Sequence, residues 1–275
     1  MLDVQNQMDH RNITVDKVGV KDIRYPITVM DRENGTQHTV ACVNMYVNLP
    51  REFKGTHMSR FIEILNEFHC NLDMRGFHRV LEAMQERLEA ESAHLEVSFP
   101  YFLKKLSPVT ATPGLMEYGC RVIGSLDKRK GYDLVLEVNV PITTVCPCSK
   151  EISDHGAHNQ RGMVRLAVRF DRFIWIEDLV RMIETAASCD VYSVLKRPDE
   201  KYVTETAYEN PKFVEDVVRD MATELKRDTN VLWFKVAVEN FESIHNHSAY
   251  ACIERDNMAW RWRVSSEQRA ISHEA

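Results

Sequence analysis

The sequence predicts an α+β protein made of two tandem ββααββ modules, each an antiparallel sheet with helices on one face. Three observations lead there. Apolar runs of period two and of helical period follow one another in the order ββααββ, and the same order returns in the second half of the chain. The runs of period two are punctuated by turn residues, as at Glu33-Asn34-Gly35. One connection in the second half is about three times as long as an ordinary hairpin turn and is crowded with metal-ligand side chains.

The first strand alternates at Ile23, Tyr25, Ile27 and Val29, and the second at Ala41, Val43, Met45 and Val47. Asn34-Gly35 between them is a strong hairpin signal. Met58, Phe61, Ile62 and Leu65 share one helical face, and Phe77, Val80, Leu81, Met84 and Leu88 another. Two strands follow, Leu95/Val97/Phe99/Tyr101 and Met116/Tyr118/Cys120/Val122. The second round opens with Leu134, Leu136, Val138 and Val140, then Val164, Leu166, Val168 and Phe170. Its helical stripes are Ile176/Leu179/Val180/Ile183/Ala187 and Val214/Val217/Val218/Met221/Leu225, the latter opened by Asn210 as N-cap and Pro211 in the first turn. Leu232/Phe234/Val236/Val238 and His247 to Glu254 close it. The modules meet near Asp127–Gly131, where Lys128-Arg129-Lys130-Gly131 reads as a tight turn. The expected organisation is a polar N-terminal tail (1–20), a first module (21–128), a second module carrying the long loop (129–258) and a C-terminal tail (259–275).

Composition narrows the function classes. The chain has 275 residues, 44% hydrophobic and 28% charged, an ordinary globular balance. Its formal net charge of −6 argues against a nucleic-acid or anionic-membrane surface. No apolar run approaches the roughly 20 residues of a membrane span. The opening MLDVQNQMDHRNITVDKVGV lacks the apolar core of a secretion signal. Seven cysteines stand at 42, 70, 120, 146, 148, 189 and 252; an odd number without such a signal reads as reduced thiols in a cytoplasmic protein. A disulfide between Cys146 and Cys148 would close a tight ring across Pro147, which is poor geometry.

The long connection falls inside VCPCSKEISDHGAHNQRG, from Val145 to Gly162. Cys146, Cys148, His155 and His158 are its potential ligands, and thiolate with imidazole suits zinc or iron(II). A closed structural site wants paired C-x-x-C or H-x-x-x-H knuckles, and this loop has neither. A metal here therefore points to an open, catalytic site with about three protein ligands and a water. The third ligand must come from elsewhere, with Glu200 in Arg197-Pro198-Asp199-Glu200-Lys201 and Cys189 as the candidates.

A second cluster, Glu239-Asn240-Phe241-Glu242-Ser243-Ile244-His245-Asn246-His247, lies at the turn between the last two strands, where carboxylates and imidazoles suit proton transfer near neutral pH. Glu215 sits on the shoulder of the last apolar helix face. There is no phosphate-loop or dinucleotide-binding fingerprint. A nucleotide's phosphates would need side chains such as Lys150, Arg161, Lys196 or Arg197.

Four stretches carry a resemblance. PITTVCPCSKEISDHGAHNQRG, LEVSFPYFLKKLSPVTATPGLMEYGCRVIG, LKRPDEKYVTETAYENPKFVEDVVRD and VENFESIHNHSAYA closely resemble the type IB GTP cyclohydrolases, and the likeness covers nearly the whole chain after its N-terminal tail. The resemblance implies the tunnelling fold, whose module is ββααββ. It implies conversion of GTP and water to 7,8-dihydroneopterin triphosphate and formate, the entry to tetrahydrofolate synthesis. It implies one divalent metal, zinc, iron(II) or manganese, held by Cys146, His158 and Glu200. It implies that Glu215 anchors the purine and that Glu242 and His245 line the catalytic pocket beside Cys146, with His155 a bystander. One carboxylate at Glu215 can accept both guanine N1–H and the 2-amino group. The uncovered sheet edges of such modules imply a homo-oligomer, a tetramer built from two dimers with the active site at a subunit interface. Two other functions are compatible with the residues: an archaeal-type cyclohydrolase that forms a cyclic phosphate with iron(II), and a non-catalytic purine-binding protein of the same fold.

Overall fold

The computed structural model describes residues 5, 7–68 and 74–257, so the expected C-terminal tail lies outside the described residues. Among the described residues, nine strands and six helices follow one another: β1 (Val15–Asp31), β2 (Gly35–Leu49), α1 (Met58–Glu67), α2 (Met74–Arg87), β3 (Ser92–Leu106), β4 (Pro113–Asp127), β5 (Gly131–Val145), α3 (Pro147–Ile152), β6 (Asn159–Phe170), α4 (Ile176–Ala186), β7 (Cys189–Asp190), α5 (Arg197–Glu209), α6 (Val214–Arg227), β8 (Val231–Asn240) and β9 (Ala249–Asp256). The strand order is β1-β2-β3-β4-β5-β6-β8-β9, with β7 beside β5. Two compact units emerge, Met1–Tyr101 with Cys120–Leu136, and Phe102–Gly119 with Glu137–Ala275.

In the first unit the predicted ββααββ order is present. The β1–β2 hairpin closes where Asp31 pairs with Gly35. Gly35 has φ +79, and the Asp31 carboxylate accepts the backbone N–H groups of Glu33 and Asn34 at 2.9 and 2.7 Å. These bonds hold Asp31 below the usual carboxylate range against the opposing effect of burial. Strand β1 starts at Val15, inside the segment expected as a tail, because Val18 and Val20 continue the ladder against Val47 and Met45. The core is the inward set Ala41, Val43, Met45 and Val47 with Leu95, Val97 and Tyr101, roofed by Phe61, Ile64 and Leu65 of α1 and Phe77, Val80, Leu81 and Met84 of α2. Gly124 is required there: a Cβ would lie 2.5 Å from the Phe77 ring.

In the second unit the inward residues Val138, Val140, Ile142, Val164, Leu166, Val168, Phe234, Val236 and Val238 form a sheet face beneath Leu179, Val180 and Ile183 of α4 and Val217, Val218, Met221 and Leu225 of α6. Asn257 seals one end, its Nδ2 donating to Leu225 O and Val231 O at 3.0 Å each.

The unit departs from a bare ββααββ plan by α3, β7 and α5. Helix α5 escapes a search for apolar stripes because it buries only Asp199 and Ala207. It also corrects the expected capping of α6. Asn210 ends α5, its N–H donating to Thr206 O, and α6 begins at Val214 with Phe213 N–H held by the Asp216 carboxylate at 3.0 Å. Beneath β7, Lys105 Nζ bridges Glu184 at 2.7 Å and Asp190 at 2.9 Å, and the buried Tyr118 hydroxyl donates to the same Glu184 oxygen at 2.8 Å. No helix among the described residues is long and apolar enough to cross a membrane.

Candidate active site

The ligand-rich loop, residues 146–158, is a closed excursion between β5 and β6. Its ends meet: Cys146 N–H donates to His158 O at 3.1 Å. Cys146 has extended geometry (φ −69, ψ 119) and is the N-cap of α3, with Pro147 in the first turn. Its sulfur accepts Ser149 N–H at 3.4 Å, and the Ser149 hydroxyl accepts His158 N–H at 3.2 Å. The cap therefore does two jobs. It starts the short helix, and it places the Cys146 thiol and the His158 backbone on one pair of hydrogen-bonded residues.

The end of β5 is fixed from several directions. Val145 N–H donates to the Ser188 hydroxyl at 3.2 Å, Lys212 N–H donates to Val145 O at 3.0 Å, and Thr143 pairs with Cys189. Val145, Cys189 and Ala207 make a small apolar cluster with Val203 and Ala157 packed against it. This cluster joins α5 to the loop.

Behind the loop lies a buried polar network. Thr144 is wholly enclosed, and its hydroxyl accepts Gln160 Nε2 at 2.9 Å and Asn240 Nδ2 at 2.8 Å. Gln160 Oε1 meets His158 Nδ1 at 2.9 Å. Asn240 Oδ1, buried without a hydrogen-bond partner, lies against Gly162, where a Cβ would come within 2.4 Å of it. Phe241 N–H donates to Arg161 O at 2.9 Å, which extends the β6–β8 ladder by one bond and turns Glu242 back toward the loop. Glu242 Oε2 stands 3.8 Å from His158 Nδ1, with both side chains about seven-eighths enclosed (13% and 12% exposed).

The sequence-predicted residues thus divide. Cys146, His158 and Glu242 are gathered at the end of β5, β6 and β8. Glu200 is exposed in the first turn of α5, Glu215 is exposed in the first turn of α6, and His245 is exposed in the β8–β9 turn with its ring stacked on His247 at 5.0 Å. Among the described residues, no group of three or more His, Cys, Asp or Glu side chains is gathered at metal-ligand spacing within the single chain. Cys148 and His155 are exposed, and no disulfide joins the described cysteines.

Cys189, the other sequence candidate for a third ligand, is buried in the apolar cluster, and burial with the neighbouring Asp190 charge pushes its thiol up, away from the thiolate a metal needs. Lys150 is committed to the end of α5, donating to Tyr208 O at 2.6 Å and lying over the Tyr208 ring. Arg161, Lys196 and Arg197 are exposed.

The chemistry of the gathered donors fits a divalent metal. Gln160 Oε1 lies 2.9 Å from His158 Nδ1, and an imidazole that donates its Nδ1–H there would keep the lone pair on Nε2. Cys146, joined to His158 through its backbone N–H, adds a half-buried thiol that is in no disulfide.

Asp199 was not singled out by sequence, yet it holds α5 in place. Its carboxylate is fully buried and accepts Val109 N–H, Thr110 N–H, the Thr110 hydroxyl and Lys196 N–H at 2.7–2.9 Å. Those bonds depress its pKa well below the usual carboxylate range despite burial. Gln160, Thr144 and Asn240 were also missed. The signal for them was present: each extends an inward apolar alternation, Val140-Ile142-Thr144, Gln160-Gly162-Val164 and Val236-Val238-Asn240.

Solved structures share this architecture at very low identity. A uricase from Bacillus fastidious aligns with a TM-score of 0.56 at 7% identity, covering 88% of this chain and 93% of that one. The uricase from Arthrobacter globiformis gives 0.51 at 8% identity, covering 87% and 93%. The fold is the tunnelling fold, here with a thiol, an imidazole and a carboxylate presented at one end of the second unit's strands.

The model of the family described as type I GTP cyclohydrolase FolE2 matches residues 1–251, and the chain belongs to that family. It is 78% identical over 255 residues to the GTP cyclohydrolase FolE2 of Syntrophobacter fumaroxidans, covering 93% of this chain and 99% of that one. To the protein of the same name from Thermosipho africanus it is 52% identical over 258 residues, covering 94% and 99%.

Proposed function

We propose that this chain is a GTP cyclohydrolase that converts GTP and water to 7,8-dihydroneopterin triphosphate and formate, the first step of folate biosynthesis, with one divalent metal held by Cys146, His158 and Glu200. Family membership over residues 1–251 carries the activity. The observation that supports the site is the Cys146–His158 pair, a thiol and an imidazole on two residues joined by one backbone bond.

A divalent metal held by Cys146, His158 and Glu200 would lower the pKa of a water and so supply a nucleophile for guanine C8 near neutral pH. The chain's own groups do the rest. Glu215 accepts guanine N1–H and the 2-amino group and so sets which ring edge enters. Glu242, beside His158, receives a proton from the attacking water. His245 passes protons to and from the opening ring and the later ribose rearrangement. Its exposed turn, and the exposed first turns bearing Glu200 and Glu215, fit an assembly in which a neighbouring subunit completes the pocket. We therefore read the protein as a cytoplasmic homotetramer with sites at subunit interfaces.

Incubation of the purified protein with GTP under zinc, iron(II) and manganese tests this reading. Pterin fluorescence and formate should rise together without phosphate release. Phosphate released in step with turnover would favour the cyclic-phosphate chemistry instead. Neither product with any metal would favour a binding protein.

A further inference from the structure

The imidazole of His158 has its own orienting device, and that device is a neutral amide. Gln160 Oε1 lies 2.9 Å from His158 Nδ1. In this orientation the amide's Nε2 donates to the enclosed Thr144 hydroxyl at 2.9 Å, which Asn240 Nδ2 also engages at 2.8 Å, so both ends of the Gln160 amide have a partner. Glu242 Oε2, at 3.8 Å from the same Nδ1, is beyond hydrogen-bond reach. A ligating histidine ordinarily gives its second N–H to a carboxylate, a carbonyl or a water. Here a carboxylate stands close by, and an amide holds the position.

We propose that Gln160 is a positioning residue that holds His158 in its Nδ1–H tautomer, with Nε2 bare for a divalent metal, and thereby leaves the Glu242 carboxylate free to exchange protons with water or substrate. The proposal rests on the metal reading above. The physical need is specific. A neutral imidazole in water favours the proton on Nε2, the nitrogen a metal would use. Without Gln160 the ring either adopts that tautomer or draws Glu242 in as its partner. The first weakens the ligand, and the second removes the base. Thr144 and Asn240 take part only by fixing the amide's orientation, and both are buried at the ends of their strands.

Long-range nitrogen–proton spectra of histidine in the metal-free wild-type protein read the tautomer directly, with the His158 signals assigned by their loss in His158→Asn. The expected result is a protonated Nδ1 and a bare Nε2; a ring protonated on Nε2 overturns the proposal. In Gln160→Met the spectrum should become a tautomer mixture, and zinc affinity, read by competition with a chromophoric chelator, should fall about 10–100-fold. Gln160→Glu keeps the acceptor and should restore most of that loss. Unchanged tautomer and unchanged zinc affinity in Gln160→Met overturn the proposal. If Gln160→Met does not fold, the wild-type spectrum and Gln160→Glu decide. A wild-type protein that binds no zinc overturns the metal reading instead, and the spectra still decide whether Gln160 sets the tautomer.

Discussion

Asp199 and Thr110 are joined across 89 positions of the chain, the Thr110 hydroxyl donating to one carboxylate oxygen at 2.7 Å and its backbone N–H to the other at 2.8 Å. The bond pins the first turn of α5 to the β3–β4 turn, and Glu200 is the next residue along. Its placement is therefore set by a long-range anchor and not by the propensity of a mostly polar helix.

Replacing Asp199 by Asn keeps the shape and loses acceptor capacity. The variant should melt at lower temperature at neutral pH and lose about tenfold or more in GTP turnover through displaced Glu200. The sign of the pH dependence follows from the depressed native pKa. The wild-type carboxylate contributes stability that is present above its unfolded pKa of about 4 and is lost as pH falls through the lower folded value. The gap in melting temperature between wild type and Asp199→Asn should narrow steadily below about pH 4. A gap that widens on acidification contradicts this.

Gly162 and Asn240 test the buried amide network. Alanine at 162 puts a Cβ 2.4 Å from Asn240 Oδ1, so Gly162→Ala should cost about 1–3 kcal/mol in urea unfolding. Shortening Asn240 to Ser makes room, so the double variant should lose less than the two single changes together. Strict additivity would mean that the two side chains do not meet.

Glu215 is exposed on the first turn of α6 between the buried Val214 and Val217, a position with no packing duty. Glu215→Gln should leave the melting temperature within a degree or two while GTP affinity by calorimetry falls by roughly 2–5 kcal/mol. Unchanged affinity removes Glu215 from the site.

Sharing of the site between subunits has its own test. At GTP too dilute for Glu215→Gln to turn over, a mixture of Cys146→Ala and Glu215→Gln refolded together should regain part of the activity, because some pockets receive both wild-type residues. A fully active monomer by light scattering rules out a shared pocket.

Much of this was legible in the sequence for physical reasons. The strands of both units declare themselves because one face is buried and the other is not, as in Ala41/Val43/Met45/Val47. The ligand-rich loop stands out because thiols and imidazoles rarely crowd a connection. Helix α5 was not, since its placement comes from Asp199 and one small apolar contact at Ala207 instead of an apolar stripe. Asn210 was misread as a helix start because a cap residue followed by Pro looks the same whether it ends one helix or begins the next. The amide network escaped because Thr144, Gln160 and Asn240 are far apart in sequence and only the register of β5, β6 and β8 brings them together.

Reconstitution of the chelated protein tests the central claim most directly. Wild type stripped of metal should lose pterin fluorescence and formate release from GTP, and one equivalent of zinc, iron(II) or manganese per chain should restore both. Cys146→Ala, still folded and losing only a cap worth about 0.5–2 kcal/mol, should bind no metal and stay inactive on addition of any of the three. Full turnover by the stripped wild type, or restoration of Cys146→Ala to near wild-type activity while Cys148→Ala stays inactive, would contradict the assignment of this site.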